Sequence, residues 1–270
     1  MLSQLSEFFS PWLPPPQLET FRQFGGYSYS WRPGQRLVSL PSPLCLTYNF
    51  FLWLDWSDPG DALAWLVTEL SQAELAGEKV TLLSHVPPGN GECLGAWGRE
   101  YSRIIARFQG TVAAQFHGHT HNDHFTLHYD SESAQPVSVG YISPSVSPYT
   151  DLNPGYRIYS LDPSTHQVVD TETWVLDFPL SNAGSEPVFY KLYSAREDLE
   201  MESLSPVDWE NMVKRLNTDT AYYEKVRAMR FYGGVCGSHY SQYFSGSTSL
   251  TRPAPQHNIQ ARREKFCVIS

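Results

Sequence analysis

Three imidazoles fall within the five residues His117-Gly118-His119-Thr120-His121, and Asn122, Asp123 and His124 follow. Neutral imidazole nitrogen is a good ligand for zinc and its neighbours. Histidines also cluster on solvated loops, so the run alone reads equally well as a metal-binding segment or as a polar loop. In an extended segment, alternation places His117, His119 and His121 on one side, and Gly118 permits the close approach that brings two donors to one ion. Zinc asks for four ligands, and a catalytic site asks for an open position among them. A second loop adds to the first. His85 lies in Ser84-His85-Val86-Pro87-Pro88-Gly89, where Pro-Pro-Gly makes a stiff turn that fixes the direction of the imidazole.

These loops need strands behind them. Apolar Val80 to Leu83 reads as a short buried strand ending at His85, and Thr111 to Phe116 reads as another running into His117. A helix is expected before each. Leu63, Leu66, Val67 and Leu70 mark the first, which ends near Gly77; Tyr101, Ile104, Ile105 and Phe108 mark the second, closed by Gly110. Helix–strand–loop twice over indicates an α/β layer structure, with parallel neighbours delivering both histidine loops to one rim of the sheet. Upstream, residues 25–31 and 36–41 read as strands joined at Trp31-Arg32-Pro33-Gly34. Downstream, 125–130, 137–142, 156–161 and 167–178 suggest a largely antiparallel second part of the same sheet. From about residue 183 the pattern turns helical, over 206–216 and 219–231, with Ser205 as cap and Pro206 in the first turn. This divides the chain into a catalytic layer at 1–180 and a helical region at 181–270, whose tail from about 234 is rich in Ser, Gly, Gln and Pro and expected to be loosely ordered.

Composition narrows the classes. Of 270 residues, 41% are hydrophobic and 17% charged, which excludes a disordered chain. The formal net charge of −9 argues against a nucleic-acid partner, although protonating the nine histidines would cancel it. No apolar run approaches the roughly 18 residues that span a bilayer. The most apolar stretch, Leu44 to Trp56, is interrupted by Thr47, Asn49 and Asp55 and reads as core. The first residues lack the basic and apolar regions of a signal peptide. Four cysteines allow one or two bridges.

SHVPPG at 84–89 and GHTH at 118–121, within AAQFHGHTHNDHF and followed by LNPGYRIYSLD, resemble the last two metal-binding blocks of the calcineurin-like metallophosphoesterases. The flanking residues are similar to the acid sphingomyelinase branch. The resemblance implies the second half of a metallophosphoesterase sandwich and a pair of zinc ions that hydrolyse a phosphodiester. His85 and His119 then match ligands of one zinc and His121 a ligand of the other. Tyr149 matches an aromatic near the phosphocholine site, with an ordinary packed loop residue as the alternative. Cys45 and Cys93 match a family disulfide, which places the chain in an oxidising compartment, lysosomal or secreted. The implied partners are sphingomyelin, split into ceramide and phosphocholine, and a membrane surface. His117 stands where the family has an aromatic and is not carried over as a ligand; it reads as a donor behind a ligand or a surface residue. Asp123 and His124 could orient a ligand imidazole, but read more simply as polar loop.

The resemblance is partial. The family's D-x-H, G-D-x-x-D and G-N-H blocks are absent, and Gly89-Asn90 is followed by Gly91. The bridging aspartate and the proton-donating histidine would therefore lie upstream of Met1, and no catalytic residue is assigned. The expectation is a piece or a shortened form that is inactive alone. Tyr48 replaces a glutamate common in the family, which weakens the expectation of a choline headgroup and keeps a nucleotide-cleaving relative as an alternative. Another is a non-catalytic cytosolic form prenylated at Cys267, since Cys267-Val268-Ile269-Ser270 fits a C-a-a-X box with Arg262, Arg263 and Lys265 before it. Cys267 could instead pair with Cys236.

Overall fold

The structure, a computed structural model, describes residues 2–149, 152–184 and 186–231. Cys236, Cys267, the prenylation box and the tail expected from about 234 lie outside the described residues. Two short helices, α1 (Leu2–Phe9) and α2 (Pro15–Phe24), precede the hairpin of β1 (Tyr27–Arg32) and β2 (Gln35–Ser39). The paired units α3 (Ala62–Ala76) with β3 (Lys79–Leu83) and α4 (Gly95–Arg107) with β4 (Val112–His117) follow, then β5 (His124–Tyr129) and β6 (Pro136–Ile142). The chain continues through β7 (Gly155–Leu161), β8 (Val168–Leu176), α5 (Phe178–Ala183), β9 (Phe189–Ser194), α6 (Pro206–Thr218) and α7 (Thr220–Phe231).

The larger sheet has the order β1-β2-β3-β4-β6-β5, with β2, β3, β4 and β6 parallel and the edge strands β1 and β5 antiparallel. This mixed α/β layer is the fold class expected from the helix–strand alternation. Because β3 and β4 run parallel in register, with Leu82 opposite Gln115 and Leu83 opposite Phe116, both histidine loops leave the same rim. Beneath α3 and α4 a core forms from fully buried Leu66, Leu70, Val80 and Ile105. Each such side chain contributes about 1.5–3 kcal/mol by leaving water. Gln115, also fully buried, ties the layers together. It accepts from Tyr101 of α4 at 2.6 Å and donates to Ser138 of β6 at 2.7 Å, so a polar residue fits inside the sheet.

Three expectations change. The later strands do not simply extend the sheet as an antiparallel half: β6 slots between β4 and β5, parallel to β4, and β7-β8-β9 form a separate sheet. The physical reason is burial. Nearly every residue of β6 is buried, which suits a central strand covered on both faces. The stretch Leu44–Trp56 is not core. Cys45 and Leu52 are buried, yet Phe50, Phe51, Trp53, Leu54 and Trp56 are 61–84% exposed. Phe50–Trp53 is a single 3₁₀ turn capped by Asn49, and such a turn presents only one residue, Leu52, to the body. The region after residue 183 is not wholly helical, because β9 pairs with β8.

A second core joins the large sheet to the C-terminal helices: Leu127, Tyr141, Tyr193, Trp209, Met212 and Tyr222 are all buried in it. Trp209 of α6 packs tilted against Phe125, with ring centroids 4.2 Å apart, and donates to the Tyr141 hydroxyl at 3.3 Å. Among the described residues, no helix is long and apolar enough to cross a membrane.

Candidate metal centre

The two histidine loops are bound together at their roots. Ser84 N–H donates to Phe116 O at 3.1 Å, and Gly118 N–H donates to His85 O at 3.0 Å. Gly118 lies against the His85 ring, where an added methyl would come within 3.6 Å of Nδ1. On the other side, Gly98 of α4 seats the Pro-Pro-Gly turn so closely that a methyl there would lie 3.1 Å from Gly89 N. Past β4 the backbone departs from extended geometry: His119 has φ of 72° and His121 of 64°. Left-handed backbone at a non-glycine residue costs about 1–3 kcal/mol, a cost found most often at functional sites.

That departure changes which histidines share a side. His117, last in β4, points into the protein rather than to the rim. It is buried, its Nδ1 is 2.7 Å from Ser84 Oγ, and desolvation pushes its pKa down to about 3. It is neither a surface residue nor a companion of the other two, because alternation ends where φ turns positive. His119 and His121 swing out to meet His85. His119 Nδ1 lies 3.3 Å from His85 Nε2, with the rings 5.1 Å apart at 80°. His85 has its pKa lowered by desolvation and then by His119 and His121, so its neutral form, the one with a nitrogen able to bind a cation, is favoured. His121 Nδ1 is buried with no hydrogen-bond partner among the described residues, and its ring meets Tyr149 edge-on at 5.6 Å and 74°. Tyr149 itself is exposed.

Two nitrogens bound to one tetrahedral zinc at about 2.0–2.1 Å stand roughly 3.3–3.4 Å apart. The His85–His119 pair therefore fits two corners of such a shell, and the unpartnered His121 nitrogen is a third imidazole donor on the same rim. The shell is not closed: among the described residues, no three His, Cys, Asp or Glu side chains converge on a single ion position.

Cys45 and Cys93 form a disulfide with Cα atoms 4.8 Å apart, next to a β-bridge between Leu46 and Cys93. This clip holds two residues that sequence reasoning passed over or set aside. Glu92 brings its carboxylate to His119 Nε2, and the Tyr48 hydroxyl donates to the same carboxylate at 3.2 Å. The only signal for Glu92 in the sequence was its place immediately before Cys93. Asp123 is pinned by Arg157, Thr173 and Tyr193 of the smaller sheet, and His124 Nε2 is 2.9 Å from Thr120 Oγ1. Asp123 thus holds the end of the histidine loop down. The Arg157 guanidinium is buried, which disfavours its charge, but the Asp123 carboxylate outweighs this and raises its pKa.

No family model matches the chain. It is 42% identical over 226 residues to sphingomyelin phosphodiesterase from Bos taurus, covering 82% of this chain and 36% of that protein. Sphingomyelin phosphodiesterase 1 from Caenorhabditis elegans is 41% identical over 234 residues, covering 84% and 42%. A solved dimetal phosphatase from Danio rerio is similar with a TM-score of 0.38 at 15% identity, covering 63% of this chain and 62% of that one. The chain is thus a homologue of the sphingomyelin phosphodiesterases over most of its own length, while spanning under half of theirs.

Proposed function

We propose, from this homology and from the paired imidazoles, that the rim is part of the active site of a metal-dependent phosphodiester hydrolase that splits sphingomyelin into ceramide and phosphocholine. The observation carrying this is the 3.3 Å approach of His85 Nε2 and His119 Nδ1, two ring nitrogens spaced as ligands of one ion. His85 and His119 would hold one zinc and His121 its neighbour. When bound, a zinc pair supplies polarisation of the phosphodiester and a water activated near neutral pH. The chain's own residues hold the donors rigid, and the exposed Tyr149 ring beside His121 offers a face for a quaternary ammonium group. The bridging carboxylate is not among these residues, so turnover belongs to a site completed by further ligands.

The partner surface is a membrane. Phe50, Phe51, Trp53, Leu54 and Trp56 stand exposed on a turn that the Cys45–Cys93 clip ties to the His85 loop, and aromatic side chains of this kind favour the lipid–water interface. The same disulfide supports a lysosomal or secreted setting. The test is phosphocholine release from sphingomyelin vesicles at acid pH by the zinc-loaded protein, in this chain and in any longer form that contains it. His119→Ala should abolish release; unchanged release in that variant removes the assignment. Running a nucleotide diester beside sphingomyelin decides headgroup class, the point that Tyr48 leaves open.

A further inference from the structure

We infer that Glu92 is a positioning residue that determines which nitrogen of His119 faces the metal. The inference rests on the metal reading above and adds a residue to it. A neutral imidazole carries one N–H and one bare nitrogen, and only the bare nitrogen can bind a cation. An ionised carboxylate accepts hydrogen bonds and donates none. The Glu92 carboxylate at His119 Nε2 therefore keeps the proton there and leaves Nδ1 bare, and Nδ1 is the atom that faces His85 Nε2 at 3.3 Å. A carboxylate behind a metal-binding imidazole also makes the ring more basic and fixes its plane.

Glu92 is held for this role by contacts that need no metal. Its own N–H donates to Asn90 Oδ1 at 2.8 Å, and its carbonyl accepts from Thr47 N–H at 2.8 Å. The Cys45–Cys93 disulfide closes the adjoining position, and Tyr48 donates to the second carboxylate oxygen at 3.2 Å. The carboxylate thus arrives from the loop of the neighbouring strand at the Nε2 corner of the His119 ring, and leaves the Nδ1 corner toward His85.

Two readouts test the assignment. The first is the tautomer of His119 in the metal-free chain, read from long-range ¹H–¹⁵N NMR of the imidazole. Glu92→Ala should release it from the Nε2–H form, and Glu92→Gln should keep it, because the amide oxygen still accepts. The second is Co²⁺ binding, followed by visible absorption. Glu92→Ala should weaken it by about 10–100-fold, and Glu92→Gln should recover most of the loss. A tautomer and an affinity both unchanged in Glu92→Ala would overturn the inference, as would a Glu92→Gln variant no better than Glu92→Ala. Should neither the wild-type chain nor a longer form containing it bind Co²⁺, the metal reading falls, while the tautomer still decides the role of Glu92.

Discussion

The interior of the large sheet and its rim treat the same side chain in opposite ways. His117 is buried at the end of β4 and His128 beneath α4, where desolvation drives their pKa values down to about 3 and about 4 and each keeps one hydroxyl neighbour, Ser84 or Ser102. Each also leaves its Nε2 without a hydrogen-bond partner among the described residues. His119 lies two residues from His117, yet left-handed backbone lifts it out to meet His85 and Glu92. The difference teaches that backbone conformation, not residue type or spacing, separates a histidine packed inside from one presented at the rim here. Interior histidines are held by packing and should be sensitive to pH. Rim histidines are held by strain and clips, and should matter little to folding.

Arg157→Met should test the contrast most severely. It leaves the Asp123 carboxylate without its cation at the foot of the histidine loop, and removing one member of a buried ion pair costs up to about 5 kcal/mol. A shift in the urea midpoint reads this, and a loss below about 1 kcal/mol would show that the loop is held otherwise. Cys45→Ser opens a link spanning 48 residues and should cost about 4 kcal/mol in the chain-entropy model. It should also free Tyr48 from Glu92, visible as faster hydrogen exchange at Thr47.

His128 gives the pH arm. Its folded pKa, lowered to about 4 by desolvation, lies below the ordinary histidine value of 6.5, so the unfolded chain binds the proton first. Its contribution is complete above pH 6.5 and is lost as pH falls toward 4, with a slope of at most about 1.4 kcal/mol per pH unit. His128→Phe, which keeps a ring of similar size on Tyr101, should flatten that part of the stability curve; an unaltered slope would mean the interior is wetter than its packing implies. The smallest effect belongs to the rim. His119→Gly removes the proposed ligand but relieves a φ of 72°, so the urea midpoint should stay within about 1 kcal/mol of wild type. A large loss would make His119 a structural residue and collapse the distinction.

Much of the architecture could be read in advance because it rests on periodicity. Leu63, Leu66 and Leu70 marked α3, and the apolar runs at 80–83 and 111–116 found the strands that carry both histidine loops. Strand order could not be read, since β6 looks like any hairpin strand until its near-total burial shows that it sits in the middle. The turn at Phe50–Trp53 was misjudged for a related reason: hydrophobic residues usually lie inside, and nothing in that string shows that a 3₁₀ turn would hold most of them out in solvent. At the rim, the meeting of the His85 and His119 loops was legible from the parallel strands that carry them. Glu92 was not, because its nearness to His119 follows from a cysteine pairing and an asparagine-capped turn rather than from any local pattern. The positive φ at His119 and His121 has no signature in their residue type, so the alternation argument wrongly grouped His117 with them.

The glycine-to-glycine seat between α4 and the Pro-Pro-Gly turn has a consequence for adaptation. With 3.1 Å between a hypothetical Gly98 methyl and Gly89 N, even the smallest enlargement must displace the turn that bears His85. A few tenths of an ångström there is the same size as the difference in bond length between zinc and a larger cation. If the rim holds a metal as proposed, selectivity for one ion over another can therefore be tuned from beneath, at a helix residue that donates nothing to the ion.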